Sequence, residues 1–185
     1  MAEYYLISQL PSLDGINENS PLPITSDRFE ELCHRFLSKK AQNVLDKLTL
    51  APPRDSETVS SSLVEKWNEG ERNLRLALAK LRADKMDKIF ADADKSFSPV
   101  LLQAVRTAVE IESPMEAEKF LNKYRLDFLE TLRPTDSFSE EFVFYYGIKL
   151  KLIERIRKFD SESGETAYRN IYNSIINGEK SEVIK

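Results

Sequence analysis

Apolar residues recur every three or four positions along most of this chain, and that spacing is typical of amphipathic helices. The first clear stripe begins with five apolar residues, Phe29, Leu32, Cys33, Phe36 and Leu37. Residues 25–27 offer N-cap side chains before it, and the two prolines at 52–53 end it. The pattern therefore predicts helix between residues 25 and 51, with a bend at Ser38.

Residues 60–90 predict a long helix with apolar stripes on two sides. The first stripe consists of Leu63, Trp67, Leu74, Leu78 and Leu81. The second stripe, nearly opposite, consists of Leu76, Ala79, Ala83, Met86 and Phe90. Such a helix should be covered on both sides, so burial inside the protein's own bundle is the favoured interpretation of the second stripe. The alternative is a groove, edged by Arg75 and Arg82, that receives a partner helix.

The C-terminal half predicts four more helices. They begin at the capping signals around Ser98, Ser113 and residues 137–140, and at a strict stripe over residues 167–176. The first three should end near residues 111, 132 and 160, and Asn177-Gly178 should end the last. Residues 179–185 then form a mobile tail.

The N-terminus is expected to be different, because the aromatic and branched residues at 4–10 favour an extended segment that Pro11 and Asp14-Gly15 end in a turn. The predicted fold is therefore all-α. It is a single-domain bundle over residues 1–178, with a short extended N-terminal segment and no sheet larger than a two-stranded ribbon. Residues 34–48 also align with residues 118–132. A fold of two related repeat units, at residues 25–90 and 113–160, is therefore an alternative.

Composition limits the cellular setting and the class of partner. The formal net charge of −4 argues against nucleic-acid binding, which usually requires a basic excess. Cys33 is the only cysteine, so a reducing, cytoplasmic location is expected. Neither a signal peptide nor an apolar run long enough to span a membrane is evident. Any membrane association is therefore expected to occur through partners, without direct insertion.

The residues that usually perform chemistry are scarce. His34 is the only histidine, and it follows Cys33 on a helix, where adjacent side chains point about 100° apart and cannot easily pair. A calcium-like loop that starts at Asp92 has Phe97 where glycine is required and Gln103 where a bidentate glutamate is required. We therefore predict no catalytic residues, no metal site and no cofactor.

Basic residues supply the candidate partner-binding positions. One group flanks the long helix at Arg72, Arg75 and Arg82, and the other comprises Lys149, Lys151, Arg155, Arg157 and Lys158. The favoured interpretation is a solvated face with pairs such as Glu71 with Arg75, and the alternative is a docking surface for an acidic partner. Lys149 lies on an apolar stripe, so it either extends to solvent or pairs with a carboxylate of another helix.

Two segments carry a family resemblance, EYYLISQLPSL at residues 3–13 and WNEGERNLRLALAKLRADKM at residues 67–86. Together they resemble an uncharacterised bacterial family associated with gene clusters for V-type ATP synthases. Further matching positions are Phe29 to Cys33, Pro114, Glu116, Ala117, Glu118, Lys149, Leu150, Leu152 and Glu154. That family is similar to a shortened form of the V/A-type ATPase subunit that is called C in prokaryotes and d in eukaryotes.

The resemblance implies a helical connector that links the central shaft to the membrane ring and needs no catalytic residues. The expected function is therefore a non-catalytic cytoplasmic subunit, peripheral to the inner membrane, whose partners are other V-type ATP synthase subunits. The candidate partner-binding residues are Arg75, Arg82, Ala83, Met86, Lys149, Lys151 and Arg155. This chain is much shorter than the characterised subunits, so its seat on the ring can differ. The alternatives are a free-standing helical adaptor or regulator and an enzyme built around Lys149.

Overall fold

The computed structural model describes residues 2–16, 21–52, 59–90, 96–158 and 161–182. Within these ranges it contains eight α-helices and no strand, so the predicted all-α fold is confirmed. The helices are α1 (Ala2–Gln9), α2 (Ser26–Phe36), α3 (Lys39–Asp46), α4 (Ser62–Lys85), α5 (Pro99–Glu110), α6 (Pro114–Thr131), α7 (Glu140–Arg157) and α8 (Ser161–Glu182).

Side-chain caps define where most of the helices begin. Each of α2 to α7 follows a serine or threonine whose hydroxyl accepts a hydrogen bond from a backbone N–H three residues ahead. The predicted bend at Ser38 is a complete break, because Leu37 is extended and Ser38 caps the separate helix α3. The capping signals at Ser98 and Ser113 are confirmed as the starts of α5 and α6.

Helix α7 lies at the centre of the larger core, and ten of its residues are buried. It packs against α2, α3, α4 and α6, so nearly all of its surface is covered by other parts of the chain. Its glutamates also bind the beginnings of three of those neighbours. Glu154 accepts hydrogen bonds from the backbone N–H and hydroxyl of Ser26, at 3.0 and 2.7 Å. Glu140 accepts from Ser38, and Glu141 accepts from Ser61 and the N–H of Leu63.

Helix α4 joins the larger core to a smaller one. Its first turns contribute Val64 and Trp67 to the α7 core, and its later turns contribute Leu74 and Leu78 to a cluster with α5 and α6. Trp67 is 1% exposed, as predicted from its position on the first stripe. Gly70 lies between the two regions, and the ring of Phe128 occupies the space that a Cβ atom would need there. The backbone of α4 can therefore approach α6 closely.

The prediction of an extended N-terminal segment is wrong, because residues 2–9 form α1. An extended segment needs a neighbouring strand for its backbone hydrogen bonds, and the described part of the chain offers none. A helix satisfies those groups internally. It also buries Leu6 completely and packs α1 against α2, so tertiary contacts outweigh the local β preference.

The second stripe of α4 is only partly covered. Ala79 and Met86 are exposed, whereas Leu76, Ala83 and Phe90 are half-buried. Ile89, which lies outside the stripe, is fully exposed. The helix also ends at Lys85, before the predicted end near Phe90, and Asp87 adopts a left-handed conformation at φ 51°. The reason is that α5 and α6 pack against the side of α4 that carries Leu74, Ala77 and Leu78, which leaves the opposite side partly open.

The C-terminal helix is longer than predicted. It begins at Ser161 and continues through Gly178 to Glu182, because a single interior glycine costs a helix only about 1 kcal/mol. Residues 179–182 of the predicted tail are therefore helical, and residues 183–185 lie outside the described ranges. The calcium-like segment at 92–94 also lies outside them.

The two segments of the possible repeat differ in local structure. Residues 34–48 cross the break between α2 and α3, whereas most of residues 118–132 belong to the uninterrupted helix α6. Equivalent helical units are therefore not evident at these positions, and the duplication stays a prediction.

We predict that Trp67→Ala lowers the free energy of unfolding by about 3–5 kcal/mol, because it removes the largest fully buried side chain. Urea unfolding followed by circular dichroism measures the change. Trp67→Phe serves as the control and should lose less. Native tryptophan fluorescence should be blue-shifted and protected from quenchers, and a red-shifted, freely quenched emission would contradict the core position.

Candidate functional site

Lys149 occupies a polar cluster where α7 meets the end of α6 and the loop after α1. Its side chain is nearly buried, and its Nζ donates to Asp14 Oδ1 at 2.6 Å and to Glu130 Oε1 at 2.8 Å. It also lies 3.3 Å from Tyr145 Oη. The predicted alternative in which Lys149 pairs with a carboxylate of another helix is confirmed, and a loop supplies a second carboxylate.

The tyrosines of α7 complete this cluster. Tyr145 lies one turn before Lys149, and its hydroxyl donates to Glu130 Oε1 at 2.6 Å. Tyr146 donates to the carbonyl oxygen of Pro11 at 2.8 Å. These contacts, together with the pair between Asp14 and Lys149, fasten the N-terminal segment to the central helix.

A small pocket of about 220 Å³ opens beside this cluster. Its walls include Ile7, Leu10 and Phe142, and its polar groups include Arg133 and Lys149. Ligand pockets for drug-sized molecules usually measure about 300–1,000 Å³, so this pocket is small for a substrate site.

The electrostatics of the cluster favour a charged lysine. Burial acts to lower the pKa of Lys149, but hydrogen bonds to Asp14 and Glu130 outweigh it and raise that pKa. Hydrogen bonding to Lys149 lowers the pKa of Asp14, and burial with a hydrogen bond to Glu130 raises the pKa of Tyr145 to about 12. A lysine nucleophile needs a lowered pKa, so this arrangement does not favour the enzyme alternative.

A second ionic cluster is buried between α4 and α6. Arg125 binds Glu71 with two hydrogen bonds, from Nε to Oε2 at 3.0 Å and from Nη2 to Oε1 at 3.2 Å. Its Nη1 donates to Asn122 at 3.0 Å and to Glu118 at 3.2 Å. Arg75 donates to Glu71 Oε1 at 2.9 Å, which confirms the predicted intrahelical pair. The carboxylate of Glu71 is therefore surrounded by two guanidinium groups.

Arg155 extends this cluster to the central helix. Its Nη2 donates to Glu118 Oε1 at 2.6 Å. One continuous ionic network therefore crosses α4, α6 and α7. It consists of Arg75, Glu71, Arg125, Glu118 and Arg155. We call it the interhelix ionic network.

Sequence reasoning missed Arg125 and Asn122 as members of this network. The position of Arg125 could have indicated that it is buried. It lies four residues after Leu121 and four before Leu129, and both leucines are buried. A charged residue on an apolar stripe needs a buried partner. Glu71 gives the same signal four residues after Trp67, but the pairing of the two helices could not be read from either stripe alone.

Four of the predicted partner-binding residues are engaged within the fold. Lys149 and Arg155 belong to the clusters above, and Arg75 also donates to the carbonyl oxygen of Leu50 at 2.9 Å. Lys151 donates to the carbonyl oxygen of Leu48 at 3.2 Å. These four cations are buried or partly buried and contact other segments of the same chain, and their role in binding a partner stays a prediction.

The other three predicted residues lie together at the surface. Arg82 is exposed, Ala83 is half-buried, and Met86 is 64% exposed just beyond the end of α4. Fully exposed Ile89 extends the same region. We call Ala79, Arg82, Ala83, Met86 and Ile89 the α4 end surface.

A second apolar surface lies on α8. Tyr168, Ile171, Tyr172 and Ile175 follow the predicted helical stripe, yet each is between 52% and 67% exposed. The sequence predicted the helical spacing of these residues, but it did not predict that their side chains are exposed. We call these four residues the α8 stripe.

Other candidate chemistry is separated by the fold. Cys33 is buried, and burial raises the pKa of its thiol to about 12, so it is not a reactive nucleophile. His34 is half-exposed and lies 3.8 Å from Asp46. Within the described ranges, no three His, Cys, Asp or Glu side chains are grouped to hold a metal ion. None of the helices described there has both the length and the apolar character that crossing a membrane requires.

Comparison with known protein families gives a match in the C-terminal half. A family model described as "Protein of unknown function (DUF2764)" matches residues 95–179. This stretch includes α5, α6, α7 and most of α8, and it stops short of α4. No curated protein and no solved structure matched the chain. The C-terminal half is therefore similar to a family whose function is not known.

We predict that Arg125→Met lowers the free energy of unfolding by about 3–5 kcal/mol, because it leaves Glu71 buried without its bidentate partner. Urea unfolding followed by tryptophan fluorescence measures this change. The double variant Glu71→Leu/Arg125→Met should recover most of the loss, since it removes both buried charges. If the double variant is no more stable than the single one, packing rather than ion pairing explains the effect.

We also predict an acid-sensitive contribution from the Lys149 cluster. The pKa values of Asp14 and Glu130 are lowered in the folded chain, so their pairing with Lys149 stabilises it above their unfolded values of 3.8 and 4.5. That contribution is lost as pH falls below these values and through the lower pKa values of the folded chain. Lys149→Met should therefore flatten the dependence of the free energy of unfolding on pH between about 6 and 3. Lys123→Met, which removes an exposed lysine of α6, should retain the wild-type slope, and equal slopes for all three proteins would exclude the contribution.

Proposed function

We propose that this protein is a non-catalytic subunit of a bacterial V-type ATP synthase and connects the central shaft to the membrane ring. The observation that carries the proposal is the family resemblance that spans both halves of the chain. Several of the resembling positions have structural roles. Trp67 lies in the core, Glu71, Arg75 and Glu118 belong to the interhelix ionic network, and Lys149 fastens the N-terminal segment.

Rigid helix packing supports a mechanical role. A connector between rotating parts transmits torque only when its helices keep their relative positions. The interhelix ionic network fixes α4, α6 and α7 through directional contacts, including the bidentate pair of Glu71 with Arg125. Three glutamates of α7 also hold the starts of α2, α3 and α4. The helices at the centre of the protein therefore have little freedom to move relative to one another.

The α4 end surface supports a role in assembly. It combines an exposed methionine and an exposed isoleucine with Arg82, at the end of a helix whose other side is packed in the core. Methionine adapts its shape to a partner helix, and arginine is enriched at the centres of protein interfaces. We therefore assign this surface to contact with the shaft or the ring. The protein then lies on the cytoplasmic side of the inner membrane, attached through its partners.

A free-standing adaptor or regulator is the second candidate. The same α4 end surface favours it, because a helical partner outside an ATP synthase could bind there equally well. The two candidate functions differ in which other proteins should be recovered together with this protein when it is purified from membranes.

Affinity purification from native membranes tests the proposal. The tagged protein should be recovered with V-type ATP synthase subunits, and Ala83→Glu should remove them, because a buried charge at the interface lacks a partner. Thr107→Glu on the exposed side of α5 is the matched control and should keep the complex. Circular dichroism should show that both variants fold.

Recovery of one unrelated protein in place of the synthase subunits would support the adaptor and contradict the first candidate. If Ala83→Glu retains the synthase subunits, the α4 end surface is not the contact. If that variant unfolds, Met86→Glu at the more exposed position decides the assignment in the same purification.

A further inference from the structure

A groove between α6 and α7 combines an apolar floor with a basic rim, and its space is about 250 Å³. The floor is formed by the aliphatic side chains of Ile16, Leu126, Ile153 and Ile156. Ile153 belongs to the larger core, and Ile16 and Leu126 pack against that core. The floor is therefore a surface of the packed interior. We call this space the α6–α7 groove.

Three separate segments of the chain build the groove. Helices α6 and α7 supply two of its walls, and Ile16, in the loop after α1, supplies the third. The pair of Asp14 with Lys149, at 2.6 Å, holds this loop against α7. Gly15 adopts a left-handed conformation at φ 71°, which allows the chain to turn between that pair and Ile16. The groove is therefore a product of the tertiary fold and not the surface of one helix.

The rim of the groove carries positive charge that the fold does not neutralise. Lys123 is exposed, and its ammonium group forms no hydrogen bond or ion pair with any described residue. Lys119 lies one turn earlier and contacts Glu116 at 3.4 Å, in a solvent-exposed pair of the kind that contributes little to stability. Arg157 also lines the groove, but it already interacts within the fold, so we do not count it. Among the described residues, no aspartate or glutamate lines the groove.

The pocket beside Lys149 differs in this respect. Lys149 is bound there by Asp14 and Glu130, and Arg133 lies 3.9 Å from Glu130. The cations of that pocket are therefore neutralised by carboxylates of the same chain. The two lysines of the α6–α7 groove instead lie beside an apolar floor, and this combination is complementary to an anion that carries an apolar body.

The size and the lining of the groove indicate which kind of anion it fits. A cavity of about 150 Å³ binds benzene, which has six carbons, so about 250 Å³ holds an apolar body of roughly ten carbons. The described floor offers only aliphatic side chains, without an aromatic ring or a polar side chain. Such a floor favours an alkyl chain over a polar or aromatic body.

We propose that the α6–α7 groove binds one molecule of a free carboxylic acid with an unbranched alkyl chain of about eight to ten carbons. The alkyl chain lies on the aliphatic floor, and the carboxylate binds the ammonium groups of Lys123 and Lys119. The site is separate from the α4 end surface, so it does not depend on the proposed function.

Isothermal titration calorimetry of the full chain with decanoate, below the concentration at which decanoate forms micelles, tests the site. The wild-type protein should bind one decanoate per chain. Decanol has the same chain but no charge, so it should bind about fivefold more weakly. Butanoate keeps the carboxylate but covers little of the floor, so it should show no measurable binding. Equal affinities for decanoate and decanol would exclude recognition of the carboxylate.

Two variants locate the bound molecule. Lys123→Gln should weaken decanoate binding about threefold to fivefold and leave decanol binding unchanged, because it removes only the charge. Lys66→Gln, at an exposed position of α4, is the matched control and should bind decanoate as the wild type does. Ile156→Trp fills the groove and should abolish binding of both compounds. Circular dichroism should show that the variants fold, and if Ile156→Trp unfolds, Ile16→Trp on the loop blocks the same groove.

Three further results would overturn the proposal. Absence of decanoate binding to the wild-type chain would mean that the groove is not a site for this ligand. Binding that survives both Lys123→Gln and the tryptophan variant would place decanoate elsewhere, such as on the α8 stripe. If phosphatidylglycerol vesicles bind the protein through Lys123 whereas free decanoate does not, the groove recognises a membrane surface and not a free molecule.

Discussion

The burial of helix α7 determines how the other helices of the core are arranged. Its residues 143–150 are buried without interruption, so α2, α3, α4 and α6 have to surround it. Its polar side chains meet the polar ends of those neighbours, as Glu154 does at the start of α2 and Glu141 at the start of α4. Helix ends otherwise leave backbone groups unsatisfied. One helix therefore provides both the apolar core and the polar contacts that fix the arrangement around it.

The interhelix ionic network adds specificity to that arrangement. Burying Glu71 and Arg125 costs desolvation energy, and the bidentate geometry recovers it only when α4 and α6 meet in one register. Neighbouring Gly70 allows the same close approach by leaving room for Phe128. The network lies where the two apolar clusters join along α4, so it holds them as one body. That rigidity is the property that the proposed connector would need.

Local sequence signals predicted most of the helices because they report on the backbone directly. Serine and threonine caps and the apolar periodicity located the starts of α2 to α7 to within a few residues, and the buried Trp67 followed from its stripe. The N-terminal helix was missed because residues 4–10 prefer strand locally, and only packing of Leu6 against the core reverses this preference. Of the candidate site, Arg82, Ala83 and Met86 lie at the surface as the docking alternative requires. Arg75, Lys149, Lys151 and Arg155 contact other segments of the chain. Those contacts could not be predicted, because periodicity shows which side of a helix is polar but does not identify the carboxylate or carbonyl group on a neighbouring segment.

Photo-crosslinking in native membranes can detect the proposed contact in the assembled complex. A photoreactive amino acid in place of Met86 would lie on the α4 end surface, which we propose contacts the synthase. Mass spectrometry of the cross-linked product should identify a shaft or ring subunit of the V-type ATP synthase. A matching probe at exposed Val100 on α5 should give no such product. Cross-linking of residue 86 to a protein outside the synthase, with no synthase subunit recovered, would contradict the account.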